Sequence, residues 1–194
     1  MPLKVRRCTY PTVEQRPLDF GRAEREQRRL EPEKPISLLA WKHEISTMEL
    51  KNFIARGWSI QKIDELLSAV GEVMANCSLA GPAAKRAVPE MVPAGLRDHQ
   101  IVQIITAVNL FYVGFKNSEA EAVRILDDLP AAARGLLHLG RSPLDIHDLI
   151  TDALRKNWQN DGFSPLDLVE MARIRMTDEE IIGYFELPRT EVLH

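Results

Sequence analysis

The sequence predicts an all-α protein, a helical bundle with an extended N-terminal arm and a helix-turn-helix-like unit at its C-terminus. Its longest nearly continuous apolar run, residues 101–115, has the length of a buried helix rather than of a strand. Elsewhere apolar residues recur every three or four positions, after Ser or Thr residues in helix-capping patterns. A membrane span needs about twenty predominantly apolar residues, and Gln103 and Asn109 interrupt this shorter run. We therefore expect residues 101–115 to form the central core helix.

Composition places the chain among ordinary globular proteins. Its 194 residues are 45% hydrophobic and 27% charged, which is enough to build a core without disulfides or metals. The net charge of -3 means that any nucleic-acid binding has to come from a local patch. Cys8 and Cys77 lack metal-ligand spacing, and no apolar leader resembles a signal peptide. These features predict a cytoplasmic protein.

Residues 1–35 are expected to form a basic arm outside the core. The segment holds five prolines, and nine Lys and Arg residues outnumber its acids. Such an arm could contact phosphates, or it could be a solvated leader that orders only against a partner subunit.

Residues 36–77 are expected to form a helical hairpin. Ser46 and Glu49 have the spacing of a capping box, Gly57 offers a left-handed stop, and Ser59 can cap the following helix. We expect this hairpin to serve packing or dimerisation rather than DNA recognition.

Residues 78–96 have the composition of a linker, because three prolines and two glycines within them disfavour a long element. The linker would separate the hairpin from a C-terminal helical core, residues 97–194. Within this core, Ser118 would start a short helix over 119–128, Pro130 would start another, and Gly140 would end it.

A short pattern is repeated in the C-terminal third. Residues 140–146, GRSPLDI, return as residues 162–168, GFSPLDL. In each copy Ser is suited to the N-cap, Pro to the first helical position and Asp to the positive end of the helix dipole. Two helices are therefore expected to begin in the same way.

The candidate DNA-binding residues lie near the C-terminus. Thr177 would cap one helix, residues 187–190 would form a turn, and a second short helix would follow, as in the helix-turn-helix of bacterial regulators. Arg189 and Thr190 would contact bases or phosphates, and Arg173 and Arg175 the DNA backbone. Thr177 also belongs to the predicted DNA-binding set. The alternative is a terminal helical hairpin that packs on the core through Ile181, Phe185 and Leu187.

Three segments, NLFYV at 109–113, AVRI at 122–125 and a leucine-rich segment before Trp158, resemble a known family. They are similar in order to the D subunit of the bacterial flagellar master transcriptional activator and its relatives on conjugative elements. The resemblance covers roughly residues 101–160. It implies an all-α subunit that dimerises, associates with a zinc-bearing second regulator subunit, binds DNA upstream of promoters and recruits RNA polymerase.

No catalytic pattern is evident, so we expect neither an enzyme nor a cofactor. The five histidines are scattered, the adjacent acidic pairs point to different sides of their helices, and the glycines form no phosphate loop. The sequence thus favours a DNA-binding transcription regulator that acts in an oligomer. Its rival is a protein–protein module, an anti-activator or assembly adaptor without DNA contact, that would bind another protein through the terminal hairpin and the surfaces around Trp41, Trp58 and Trp158.

Overall fold

A computed structural model of the protein describes residues 33–114, 118–156 and 163–186. The prediction of an all-α fold is confirmed, because these residues form nine α-helices and one 3-10 turn, Val92–Ala94, and no strand. The helices are α1 Glu33–His43, α2 Thr47–Ala55, α3 Ile60–Val73, α4 Ala80–Met91, α5 Asp98–Gly114, α6 Glu119–His138, α7 Pro143–Lys156, α8 Pro165–Arg173 and α9 Asp178–Glu186. The predicted arm lies almost wholly outside the described residues, as does the second helix of the predicted helix-turn-helix.

The predicted helix starts are confirmed by hydrogen bonds. Ser46 Oγ accepts the Glu49 N–H at 3.2 Å while Glu49 Oε2 accepts the Ser46 N–H at 2.7 Å. At α3 and α6 the hydroxyl oxygens of Ser59 and Ser118 accept the N–H groups of Lys62 and Glu121. These bonds satisfy N–H groups that the first turn of a helix leaves unpaired.

The repeated Ser-Pro-Leu-Asp pattern starts two helices, as predicted. At α7, the Ser142 N–H donates to Asp145 Oδ2 at 3.1 Å, and the Asp145 N–H donates to Ser142 Oγ at 3.2 Å. At α8, Ser164 forms the corresponding capping box with Asp167. The second copy has an additional contact, because Ser164 Oγ lies 2.9 Å from Asp128 Oδ2 on α6.

Four helices end in the same hydrogen-bonded motif, in which a residue with positive φ follows the last turn. Gly57 and Gly140 fill this position after α2 and α6, with φ of 81° and 87°. Glu44 and Arg175 fill it after α1 and α8, with φ of 57° and 66°. Left-handed backbone is unfavourable for residues with a Cβ, so α1 and α8 end under local strain.

The prediction of a linker at residues 78–96 is wrong. This stretch forms α4, most of whose residues are buried, and then the 3-10 turn. Pro82 lies in the first turn, where its missing N–H costs little, and Pro89 lies in the last turn. The small residues of α4 allow a close approach to α6; those that are buried are Ala80, Gly81, Ala83, Ala84 and Ala87. The described residues from Pro35 onward belong to one compact unit, so the chain does not divide here.

The start of α4 is capped by a residue from α6. No side chain of α4's own segment caps it. Instead Glu119 Oε1 accepts the N–H groups of Leu79 and Ala80, and Glu119 Oε2 accepts the Ser78 hydroxyl at 3.2 Å. These bonds stabilise the carboxylate and lower the pKa of Glu119. A cap that comes from about 40 residues further along the chain cannot be recognised in the local sequence.

The prediction of two helices between Ser118 and Gly140 is also wrong, because α6 runs uninterrupted through Pro130. A proline in a helix interior loses one hydrogen bond and costs about 3 kcal/mol. Leu126, Leu129 and Ala133 around it are fully buried, and this burial offsets the cost.

The predicted central helix is present as α5, and it packs against α3, α6 and α7. Five of its large side chains are buried, namely Ile101, Ile104, Ile105, Val108 and Phe111. One side of this helix is exposed, however, because Leu110 and Val113 are 57% and 62% exposed.

Candidate functional site

The described part of the predicted DNA-binding unit consists of α8, a tight turn and α9. Arg173 is exposed on the last turn of α8, and its Nη1 lies 2.9 Å from a carboxylate oxygen of Glu170. Arg175 is exposed in the turn, at the strained position that ends α8. Arg189 and Thr190, the predicted base contacts, lie outside the described residues. Both arginines are therefore exposed, and Arg173 already has an acidic partner.

Thr177 caps α9, as predicted, and this role occupies its hydroxyl. The Glu180 N–H donates to Thr177 Oγ1 at 3.3 Å, and the Thr177 hydroxyl donates to Glu180 Oε2 at 3.1 Å. The Thr177 N–H also donates to Glu180 Oε2, at 2.8 Å. A hydroxyl engaged on both sides is poorly placed to bind a phosphate.

The charge of this region opposes contact with nucleic acid. Residues 163–186 contain six Asp and Glu residues against two Arg, a net charge of -4. Three of the acids, Asp178, Glu179 and Glu180, form the first turn of α9. Acids at a helix N-terminus are favourable for the helix dipole, but they repel the phosphates that a DNA-binding surface must attract.

One face of α9 is held against the rest of the bundle. Ile181 and Phe185 are buried, and the Phe185 ring meets that of Phe163 edge-on at 5.2 Å between centroids. At one end of the helix Arg141 pairs with Asp178, with 2.7 Å between Nη2 and Oδ1. At the other end Lys156 pairs with Glu186. The packing alternative is therefore supported at Ile181 and Phe185, whereas Leu187 lies outside the described residues.

A second candidate surface lies on α1. Leu38 and Trp41, one helical turn apart, are 68% and 83% exposed. A tryptophan has a large apolar ring with one polar N–H, and such side chains are enriched at protein interfaces. We name these two residues the α1 face.

Two contacts fix α1 on α3. Lys42 Nζ and His43 Nε2 each lie 2.6 Å from Asp64 Oδ1, and His43 is 4% exposed. The hydrogen bond from Lys42, followed by that of His43, lowers the pKa of Asp64. Sequence reasoning missed this cluster, since Asp64 is over twenty residues from its partners. The opposite side of α1 is held in this way, and Trp41 points outward with no partner among the described residues.

Trp58, which the sequence suggested as a binding surface, instead packs within the chain. Its ring contacts that of Phe53 at 5.4 Å between centroids, and Lys62 Nζ lies 4.5 Å from its ring centre. Trp158 lies outside the described residues. Of the three tryptophans, Trp41 is therefore the one that the described structure offers to a partner.

The described residues were also searched for metal-binding groups and for membrane-spanning helices. No group of three or more His, Cys, Asp and Glu side chains that could hold a metal ion occurs within the described ranges. Among the helices described, none is both long and apolar enough to cross a membrane. Comparisons with protein-family models, curated proteins and solved structures found no match to the chain.

Proposed function

We propose that the protein is a protein–protein interaction module, an assembly adaptor or anti-activator that binds another protein of the cytoplasm through its α1 face. The observation that carries the proposal is the 83% exposure of Trp41 on α1, a helix that Lys42 and His43 bind to Asp64 of α3. Tryptophan is enriched among the residues that dominate binding energy at protein interfaces. Presenting it on an already ordered helix lowers the entropy cost of binding. The partner accordingly offers an apolar pocket that accepts an indole ring.

The acidic terminal region supports this function over DNA binding. With a net charge of -4, residues 163–186, which hold the expected contacts of Arg173 and Arg175 with the DNA backbone, are repelled by phosphates. Thr177 is committed to capping and Arg173 to Glu170.

Site-specific photo-crosslinking in cells tests the proposal. A photoreactive residue replaces Leu38 on the α1 face or, as a control, Glu72, which is exposed on α3. We expect one protein to crosslink at position 38 and not at 72. In the purified complex Trp41→Ala should weaken binding by at least about 2 kcal/mol, a roughly 30-fold loss. Equal crosslinking at both positions, or unchanged affinity of Trp41→Ala, would contradict the proposal.

A DNA-binding transcription regulator is the second candidate, and the basic composition of the arm favours it. Nine Lys and Arg residues against six acids give residues 1–34 a charge of +3, and Arg173 and Arg175 are exposed. In this function the arm and these arginines contact phosphates, Arg189 and Thr190 read bases, and a second regulator subunit and RNA polymerase are partners. The resemblance to the flagellar activator subunit points the same way.

Salt dependence separates the two candidates. Binding to DNA through several phosphates falls by orders of magnitude between about 50 and 200 mM salt. Binding of a protein through Leu38 and Trp41 is largely apolar and changes little over that range. A steep salt dependence of binding to duplex DNA, measured by gel shift, would favour the regulator.

A further inference from the structure

The outer side of α5 is a second exposed surface of the bundle. Gln103, Thr106, Leu110 and Val113 follow one another at intervals of three or four residues, so they share one side of the helix. Leu110 and Val113 are 57% and 62% exposed, Gln103 is exposed and Thr106 is half-buried. We name these four residues the α5 face, which extends over about 15 Å of the helix.

The α5 face carries no charge. Residues 100–114 contain no Asp, Glu, Lys or Arg. The hydroxyl of Thr106 donates to Val102 O at 2.8 Å, so its hydrogen bond is made within the helix. An uncharged helix side that ends in two exposed aliphatic residues is suited to contact with the apolar side of another helix.

A groove of about 390 Å³ lies beside the α5 face, between α3 and α5. Leu66 and Ala69 of α3 and Val102 of α5 contribute its apolar lining. An ion pair between Lys62 and Asp98, 3.6 Å between Nζ and Oδ2, joins the first turns of the two helices. The groove and the α5 face together can receive an amphipathic helix, whose apolar residues also recur every three or four positions.

The helices around the α5 face present negative charge. Together α3, α5 and its other neighbour α7 contain seven Asp and Glu residues against three Lys and Arg, a net charge of -4. Each of these three cations already has an acidic partner, namely Lys62 with Asp98, Arg155 with Asp152, and Lys156 with Glu186. Glu65 lines the groove, is exposed and accepts a hydrogen bond from neutral Gln61 at 2.8 Å. The surface therefore attracts a cationic partner and repels an acidic one.

We propose that the α5 face and the groove beside it bind a basic amphipathic helix of another protein. Apolar side chains of that helix contact Ala69, Leu110 and Val113, and its Lys or Arg residues approach Glu65. The site does not depend on the α1 face, because Asp64, which holds α1, and Ala69 point to different sides of α3. A protein with two such surfaces can join two partners, as an assembly adaptor does.

Titrations of the full chain followed by ¹H–¹⁵N NMR test the site. The probe is the capped peptide LKKLLKLLKKLLKL, which has the pattern of a basic amphipathic helix, and its control is the same peptide with Glu in place of Lys. We expect the Leu–Lys peptide to shift the backbone amide signals of residues 103–113 saturably, and the Leu–Glu peptide to leave them unchanged. Equal binding of both peptides, shifts confined to other helices, or no saturable shift overturns the proposal.

Leu110→Lys is the sharpest variant, because it places a cation in the α5 face at an exposed position where folding is not at risk. Leu166→Lys makes the same change at a 40% exposed leucine of α8, outside this surface. Both variants gain one positive charge, so a difference between them cannot arise from net charge. We expect affinity for the Leu–Lys peptide to fall at least about tenfold in Leu110→Lys and to stay within about twofold in Leu166→Lys. Wild-type affinity in Leu110→Lys would overturn the assignment.

A second copy of the chain is the alternative occupant of the α5 face, and sedimentation of the same variants separates the two. We expect Leu110→Lys to leave the molecular mass of the wild-type protein in solution unchanged. A wild-type dimer that Leu110→Lys converts to a monomer, and that Leu166→Lys does not, would assign the α5 face to self-association and overturn the proposal.

Discussion

The contact between α4 and α6 and the contact between α7 and α9 bury apolar surface in different ways. The α4–α6 contact is the most extensive one among the described helices, and both helices bring small residues to the core. The α7–α9 contact relies on a few large side chains, chiefly Ile181 and Phe185, with an ion pair at each end. The first arrangement has many weak contacts at short range, and the second has few strong ones.

This difference decides which substitutions destabilise each contact and how well each helix can be predicted from the sequence. Closely packed alanines leave no room for a larger side chain, so the α4–α6 contact should fail by overpacking. An aromatic anchor fails by truncation, and its loss releases only the short helix that it holds. Ala, Gly and Pro also look like a linker in sequence, whereas Ile and Phe on a short capped helix clearly predict packing.

Phe185→Ala should have the largest effect. Truncating a buried phenylalanine costs about 3–5 kcal/mol, and Phe185 is 2% exposed against Phe163. Because α9 is held mainly by this residue and Ile181, we expect the loss to appear first as local opening. Hydrogen exchange should accelerate in α9 while α4 and α6 stay protected.

Tyr184→Ala is the matched control, because Tyr184 is the aromatic residue next to Phe185 and is 40% exposed. It should cost less than about 1.5 kcal/mol and leave the exchange of α9 nearly unchanged. Equal acceleration throughout the bundle in Phe185→Ala would show that the two contacts do not differ as described.

Ala133→Leu should have the next largest effect. Ala133 lies on α6 with no exposed surface, and extra methylene groups in a packed core cost about 1–3 kcal/mol. Urea unfolding should show this loss as one cooperative transition of the whole unit. Ala131→Leu, two residues earlier on the exposed side of α6, should stay within about 0.5 kcal/mol of wild type. An unchanged free energy of unfolding in Ala133→Leu would mean that the α4–α6 contact contains free space.

The sequence was most informative where structure is set locally. Ser46, Ser59, Ser118 and Thr177 cap helices as predicted, because each cap involves residues no more than three positions apart. The identity of α4 depends on Glu119, about 40 residues away, and on an alanine surface that only α6 completes. Similarly, burial around Pro130 outweighs a proline that locally predicts a helix boundary.

Candidate sites were harder to predict than helices. Sequence reasoning proposed Arg173, Arg175 and Thr177 as a DNA contact, but it did not anticipate that Glu170 and Glu180 engage two of them. It included Trp41 among three tryptophans without distinguishing it, since exposure depends on which side of α1 is held.

The smallest predicted effect concerns strain at the end of α8, next to the α7–α9 contact. Arg175 has φ of 66° in the motif that Gly140 completes without strain at the end of α6. Left-handed backbone costs a residue with a Cβ about 1–2 kcal/mol, and glycine returns part of this gain through its freer unfolded state. Arg175→Gly should therefore stabilise the protein by about 0.5–1 kcal/mol in urea unfolding.

Arg173→Gly removes the same charge two residues earlier, and we expect it to change stability in the opposite direction. Arg173 is the last helical residue of α8 and pairs with Glu170. A glycine at this position should cost up to about 1 kcal/mol, because it is a poor helix former. If both variants changed stability in the same direction, charge rather than backbone strain would govern this turn. If the two variants change stability in opposite directions, the end of α8 retains backbone strain that glycine avoids at the end of α6.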